Sequence, residues 1–276
     1  MKHKGKVIAI TNQKGGVGKT TTTANLGIGL AKQGYDVLLI DADAQASLTL
    51  ALGYRKPDEM AVTLAEIMQS IIDDQEPPAG SGILHHKEGV DLVPANILLS
   101  SLEVNLIRAM SRELVLRQYI NTIRHNYDFI LIDCTPSLGL LTINALAAAD
   151  SVIIPTQPAF LSIKGFNLLA NSISQVRRQL NPKLSIGGIL FTMVDRRTNE
   201  ARDIISSIRA NYADHISVFQ TEIPFSVRAA ETSAQGKSIY LHDPSGKVAA
   251  AYQDLTKEVV FNEQRYERLR AERSDR

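Results

Sequence analysis

Lys14-Gly15-Gly16-Val17-Gly18-Lys19-Thr20-Thr21 is the stretch on which the fold turns. It follows an apolar run, Val7-Ile8-Ala9-Ile10, that reads as a short buried strand. It precedes Thr22 to Gln33, which reads as a helix stopped by Gly34. Strand, glycine-rich loop and helix in that order are the context a phosphate-binding loop requires. The glycines let the loop curl until successive backbone N–H groups point inward as an anion nest. The free N–H groups and positive dipole end of the helix add to that field. Lys19 then reaches the β- and γ-phosphates of a nucleotide, and the Thr20 hydroxyl ligates Mg²⁺. The strict loop pattern wants glycine where this chain has Gln13, and Lys14 stands just inside the loop, so the motif is the deviant form K-G-G-x-G-K-[ST].

Two further strand ends carry acid. Asp36-Val-Leu-Leu-Ile-Asp41 is an apolar run between charges, the mark of a parallel strand buried on both faces, and it ends in Asp41-Ala42-Asp43-Ala44-Gln45. Acidic groups at the carboxyl end of such a strand sit where open α/β sheets bind ligands. The stretch after it, to about Gly53, reads as helical. Phe129-Ile130-Leu131-Ile132-Asp133 is a third buried strand, followed by Cys134-Thr135-Pro136. Downstream of a phosphate loop this is a Walker B pattern leading into a switch loop, with Asp133 holding a water on Mg²⁺.

The rest of the chain alternates in the same way. Val90–Val93 reads as a short strand, and Leu98 to Asn126 as one long or two short amphipathic helices. Ser151–Thr156 is a strand, Leu161 to Leu180 a helix, and Leu184 to Met193 a strand broken by Gly187-Gly188. Asn199–Tyr212 is helical, Val218–Ile223 strand-like, and Lys247–Phe261 helical with Val248, Tyr252, Leu255 and Val259 on one stripe. Asp73 to Gly82 is the one clear loop insertion, with a linker as the rival reading. The expected fold is α/β, a doubly wound, mostly parallel sheet flanked by helices. The chain is expected to be a single domain over 1–276, in which 263–276 forms a charged helix extension or a frayed tail.

Composition narrows the partners. The 276 residues hold 30 Lys plus Arg against 29 Asp plus Glu, so any nucleic-acid contact needs a local basic patch rather than a global field. A single cysteine, Cys134, forbids an intrachain disulfide and suits a reducing cytosol. As a lone thiol it reads as a small buried residue. His85-His86 reads as a solvated loop, since no other ligand stands at metal-site spacing. No apolar run approaches a membrane span. The basic N-terminus lacks the apolar core of a signal peptide. It also leaves no room for a helix-turn-helix, so site-specific operator binding is not expected.

From about Lys6 to Phe261 the sequence resembles the ParA family of partition ATPases, within the wider group that includes MinD. The deviant loop carries the resemblance, together with Asp41-Ala42-Asp43-Ala44-Gln45, similar to a D-x-D-P-Q switch with Ala44 in place of proline. Thr156-Gln157-Pro158 through Leu161 to Gly165, Thr192 to Thr198, and Glu222-Ile223-Pro224 also resemble the family. Phe225 stands where arginine is usual. The resemblance implies a slow, partner-stimulated ATPase using ATP and Mg²⁺. Its nucleotide would lie on Lys14, Gly15, Gly16, Val17, Gly18, Lys19, Thr20 and Thr21, with Lys14 acting across a homodimer interface and Thr21 on the α-phosphate. Asp43 would orient or deprotonate the attacking water. Thr20, Asp41 and Asp133 would surround the metal, and adenine would sit near Met193 and Pro224. The ATP dimer would bind duplex DNA without sequence preference through Arg197 and Arg228, and would release it when a ParB-type centromere-binding protein stimulates hydrolysis, in the cytoplasm at the nucleoid. A membrane-cycling regulator like MinD is the alternative, but it needs an amphipathic C-terminal helix, and the tail offers only Tyr266 and Leu269 as bulky apolar residues. A relative of the nitrogenase iron protein would need more cysteines.

Overall fold

The computed structural model describes residues 5–76, 82–158, 162–212 and 216–274. In chain order the elements are β1 (Lys6–Ile10), α1 (Lys19–Lys32), β2 (Val37–Ala42), α2 (Ser47–Ala51), α3 (Leu64–Ile72), β3 (Leu84–His85), β4 (Asp91–Val93), α4 (Leu98–Leu106) and α5 (Val115–Ile123). They continue with β5 (Phe129–Cys134), α6 (Leu140–Ala148), β6 (Ser151–Thr156), α7 (Ser162–Gln179), β7 (Ser185–Val194), α8 (Asn199–Tyr212) and β8 (Val218–Pro224). The last are α9 (Val227–Gln235), α10 (Ile239–His242) and α11 (Lys247–Ser274). The eight strands form one sheet in the order β3-β4-β2-β5-β1-β6-β7-β8. Every pairing is parallel except the short antiparallel edge β3–β4.

Strand alternation divides the core into two layers. Val7 and Ala9 of β1, Leu38 and Ile40 of β2, and Ile130 and Ile132 of β5 face the side covered by α3 to α8. Ile8 and Ile10, Val37 and Leu39, and Phe129 and Leu131 face the side covered by α1 and α11. Continuous apolar runs in the central strands are therefore a consequence of burial on both faces. The α11 stripe of Val248, Tyr252, Leu255 and Val259 lies in the second layer.

Close approach in that layer depends on two glycines of α1. A Cβ on Gly27 would stand 2.5 Å from Leu39 Cδ2 of β2. One on Gly29 would crowd Thr256 Oγ1 of α11 and stand 2.6 Å from Tyr240 Oη of α10. The helix that carries the phosphate loop is thus wedged between the sheet and α11.

Several local expectations need correction. β7 is not broken at Gly187-Gly188: it runs through, with Val152 paired to Ile186 and Ile153 to Gly188, so Gly187 forms a one-residue bulge. Gly188 is needed because a Cβ there would lie 2.7 Å from the Phe219 ring. His85 is not in a loop but in edge strand β3, with Nδ1 2.5 Å from Asp91 Oδ1. Other expectations left alternatives: Leu98 to Asn126 takes the form of two short helices, with a closing 3-10 turn, and α11 continues to Ser274. Helices α3, α9 and α10 carry no expectation from sequence. For α3 a signal was present: Thr63-Leu64-Ala65-Glu66 is a capping box, with Thr63 N donating to Glu66 Oε2 at 2.8 Å and Ala65 N to Thr63 Oγ1 at 3.3 Å. Residues 77–81 of the expected loop and Leu161 of the expected α7 start lie outside the described residues, as do the side chains of Lys164, Tyr266 and Leu269.

Candidate active site

β1 ends in the middle of the sheet between β5 and β6, so the loop that follows it emerges at the carboxyl edge between Asp133 and the end of β6. Gly16 and Gly18 have φ of 70° and 79°, the left-handed region open to glycine at little cost. Gly18 caps α1 without a side-chain hydrogen bond, and no acid stands in the first turn. The first-turn amide donors, which no helix can use internally, are left for an anion.

Neighbouring strand ends hold the loop in shape. Asn12 Nδ2 donates to Pro155 O at 2.7 Å, and Lys14 N to Asn12 Oδ1 at 3.1 Å. Thr192 Oγ1 donates to Val17 O at 2.8 Å, and Gln157 Nε2 to Gly16 O at 3.2 Å. Asn12 was not singled out from the sequence; its one signal is its place between the strand and the first lysine. Lys19 is buried and its Nζ donates to Lys14 O at 3.3 Å. Burial lowers the pKa of its ammonium, opposed chiefly by the charge of Asp133. Lys14 is exposed, with Nζ 3.5 Å from Gln157 Oε1.

The acidic residues sit in register. Asp41 of β2 is paired with Asp133 of β5, and both are fully buried. Thr20 Oγ1 donates to Asp133 Oδ2 at 2.6 Å and Thr23 Oγ1 to Asp133 Oδ1 at 3.2 Å. Burial, reinforced by the charge of Asp41, pushes the Asp133 carboxyl up to about 8. Burial raises Asp41 to about 6, against the pull of its hydrogen bonds. Both Asp41 oxygens are engaged locally: Oδ2 accepts from Thr49 N at 2.8 Å and from Thr49 Oγ1 at 2.7 Å, and Oδ1 accepts from Asp43 N at 3.3 Å. Asp43 itself is half-buried, and its Oδ1 accepts from Gln45 N at 3.0 Å.

A hydroxyl and buried carboxylates beside an anion nest make a hard-oxygen donor set. The described residues contain no cluster of three or more His, Cys, Asp or Glu able to cage a metal by themselves. A cation here would share its coordination with phosphate oxygens and water, which is the habit of Mg²⁺. Thr20 and Asp133 would hold it, and it would neutralise phosphate charge.

Met193 stands beside the phosphate loop, its Cε 3.7 Å from where a Cβ on Gly18 would lie, with φ 52°, a strained value for a non-glycine residue. Its Sδ accepts from Gln157 Nε2 at 2.8 Å. Pro224 pairs with Val194, and Phe225 N donates to Val194 O at 3.1 Å, closing the β7 and β8 ends together. A cleft of about 990 Å³ opens beside them between Val194–Arg197, Gln220–Glu222, Pro224, Phe225 and the first turns of α11.

Arg197 and Arg228 follow the ends of β7 and β8, on the same edge of the sheet as the phosphate loop. Both are exposed and neither is unaccompanied. Arg197 is bidentate to Asp195, with Nη2 2.7 Å from Oδ2, and Arg228 Nη1 lies 2.8 Å from Asp243 Oδ1. Cys134 is buried, which pushes its thiol pKa up and fits the small core residue expected there.

Comparison with known proteins gives the same outline. The family model described as an AAA domain matches residues 5–186. The chain is 43% identical to the sporulation initiation inhibitor protein Soj of Bacillus subtilis, over 94% of this chain and 99% of that protein. It is 39% identical to the chromosome partitioning protein ParA of Caulobacter vibrioides, over 94% of this chain and 95% of that one. Among solved structures, cobyrinic acid a,c-diamide synthase from Mycobacterium smegmatis with bound ATP analog and magnesium superposes with a TM-score of 0.81 at 35% identity, covering 93% of this chain and 94% of that one.

Proposed function

This chain belongs to the ParA family of partition ATPases, an ATPase that uses ATP and Mg²⁺, and from that premise we propose a DNA-segregation cycle driven by a nucleotide sandwich dimer. The observation that carries the site assignment is the single construction formed by the uncapped glycine turn, Lys19 and the Thr20–Asp133 bond. Lys19 and the amides from Gly15 to Thr21 bind the phosphates. Thr20 and Asp133 hold the metal, with Asp41 behind them. Asp43 orients the attacking water. Met193 and Pro224 border the base. Lys14 is surface-exposed at the mouth of the loop, which supports a role toward a second copy's nucleotide rather than its own.

In the ATP dimer, Arg197 and Arg228 contact duplex DNA through its phosphates, without reading sequence. A ParB-type partner stimulates hydrolysis, and DNA is released because the two nucleotide states differ in affinity for it. The whole of 1–276 acts as one domain, in the cytoplasm at the nucleoid. No described helix is long and apolar enough to cross a membrane. The test combines sedimentation with a gel shift on unrelated duplexes, under ATP, ADP and no nucleotide. The expected result is a dimer and a shift with ATP alone. Lys19→Ala is expected to lose nucleotide binding, dimer and shift together. DNA binding that ignores nucleotide state would overturn the cycle, and wild-type nucleotide affinity in Lys19→Ala would overturn the site.

A further inference from the structure

We propose that Thr49 is a positioning residue for ATP hydrolysis, acting through Asp41 to hold the loop that carries Asp43. The proposal rests on the role given above to Asp43.

The loop between β2 and α2 closes on a turn of its own, with Ala46 N donating to Asp43 O at 2.8 Å and Gln45 N to Asp43 Oδ1 at 3.0 Å, but α2 after it is poorly anchored. α2 is five residues long, too short to sustain itself. Its N-cap, Ala46, offers no side-chain hydrogen bond and sits at φ 51°. What anchors the helix is the end of β2. Asp41 reaches across the loop and accepts the Thr49 amide, the third of the helix, so a strand-end carboxylate does the work of the missing cap. The Thr49 hydroxyl donates to the same Asp41 oxygen at 2.7 Å and accepts from Ala95 N at 3.1 Å, just beyond β4. The other Asp41 oxygen accepts from Asp43 N at 3.3 Å. Thr49 and Asp41 are both fully buried. One hydroxyl therefore joins the loop, the β2 end and the segment after β4.

Removing that hydroxyl leaves the Ala95 N–H without its partner and takes one donor from a buried carboxylate, a loss with no water to replace it. Among the described residues no hydrogen bond joins Thr49 to the phosphate loop, which Asn12, Gln157 and Thr192 hold from the other side. Loosening Thr49 should thus move Asp43 while leaving nucleotide affinity in place. A misplacement of about 1 Å in a group that orients a reactant can cost roughly 100-fold.

The test measures kcat, KM and nucleotide Kd for Thr49→Val, Thr49→Ser, Asp43→Ala and the double variant Thr49→Val/Asp43→Ala, with thermal melts for each. The expected result is a 10- to 100-fold fall in kcat for Thr49→Val on the order set by that misplacement, with Kd changed less than about threefold. Thr49→Ser should recover the rate, and the double variant should be no slower than Asp43→Ala. If Thr49→Val does not fold, Thr49→Ala carries the test, since it keeps the amide bond and adds no bulk. An unchanged kcat, a parallel loss of stability and nucleotide affinity, or additive losses in the double variant would overturn the proposal. Normal hydrolysis by Asp43→Ala would instead overturn the role of Asp43 itself.

Discussion

Thr20 Oγ1 lies 2.6 Å from Asp133 Oδ2, a bond spanning 113 residues that ties the first turn of α1 to the end of β5. It joins the two residues expected to hold the metal, and it pulls against the burial that, with the charge of Asp41, pushes the Asp133 carboxyl up to about 8.

The pH dependence of stability follows with a definite sign. An unfolded aspartate titrates near ~4, so between there and about 8 the folded chain keeps a proton that the unfolded chain releases. Asp41, raised to about 6, acts in the same direction over the lower part of that window. The stability of nucleotide-free protein in chelator should therefore fall as pH rises from 5 to 8.5, read as a declining urea midpoint. Asp133→Asn should flatten the slope. A wild-type midpoint that rises with pH contradicts the assignment.

Gly29 sets how closely α1 and α11 approach. A methyl group there would crowd Thr256 Oγ1, which donates to Tyr252 O at 2.7 Å. Overpacking of this kind costs ~1–3 kcal/mol, against a gain of ~1 from the better helix former. Gly29→Ala should therefore lose on the order of 1 kcal/mol in urea unfolding. Thr256→Ala should rescue part of the loss, with a coupling of ~0.5–3 kcal/mol in the double-mutant cycle. Additive behaviour would mean that the two helices adjust without strain.

Lys14 is exposed, while Lys19 is folded into the loop. Lys14→Ala should bind nucleotide normally but fail to dimerise with ATP. A cation supplied in trans to a phosphoryl group can be worth ~10³–10⁵ in rate. Mixing Lys14→Ala with Asp43→Ala should restore part of the activity, because one mixed site then has both groups. A mixture no faster than its components would remove the trans role.

Arg197 and Arg228 begin with carboxylate partners at the surface, and such pairs are weak enough to exchange for phosphate. Arg197→Ala or Arg228→Ala should lose DNA binding while keeping the ATP dimer and basal hydrolysis. The logarithm of the wild-type binding constant should fall with the logarithm of salt, by about 0.9 per phosphate neutralised. Asp243→Asn frees Arg228 and should tighten binding. A gel shift that survives both arginine substitutions would place the DNA surface elsewhere.

The phosphate loop, both strand-end acids and the alternation of the sheet were legible in the sequence because each is local. A glycine-rich turn between strand and helix needs only neighbours in the chain to declare itself, and apolar runs such as Phe129 to Ile132 follow directly from burial on two faces. Short elements were harder to read. α9 and α10 lack a long apolar period, and β7 continues past Gly187-Gly188 because a bulge absorbs the extra residue. What only the tertiary structure decided is how the polar groups are shared. Asp41 reads as a strand-end acid, and only the fold shows that it also accepts from Thr49; Arg197 and Arg228 read as solvated cations, and only the fold shows Asp195 and Asp243 facing them. A buried carboxylate takes whatever donors the fold brings within about 3 Å, and the donors that lock the phosphate loop, Gln157 just past β6 and Thr192 in β7, lie more than a hundred residues away in the chain.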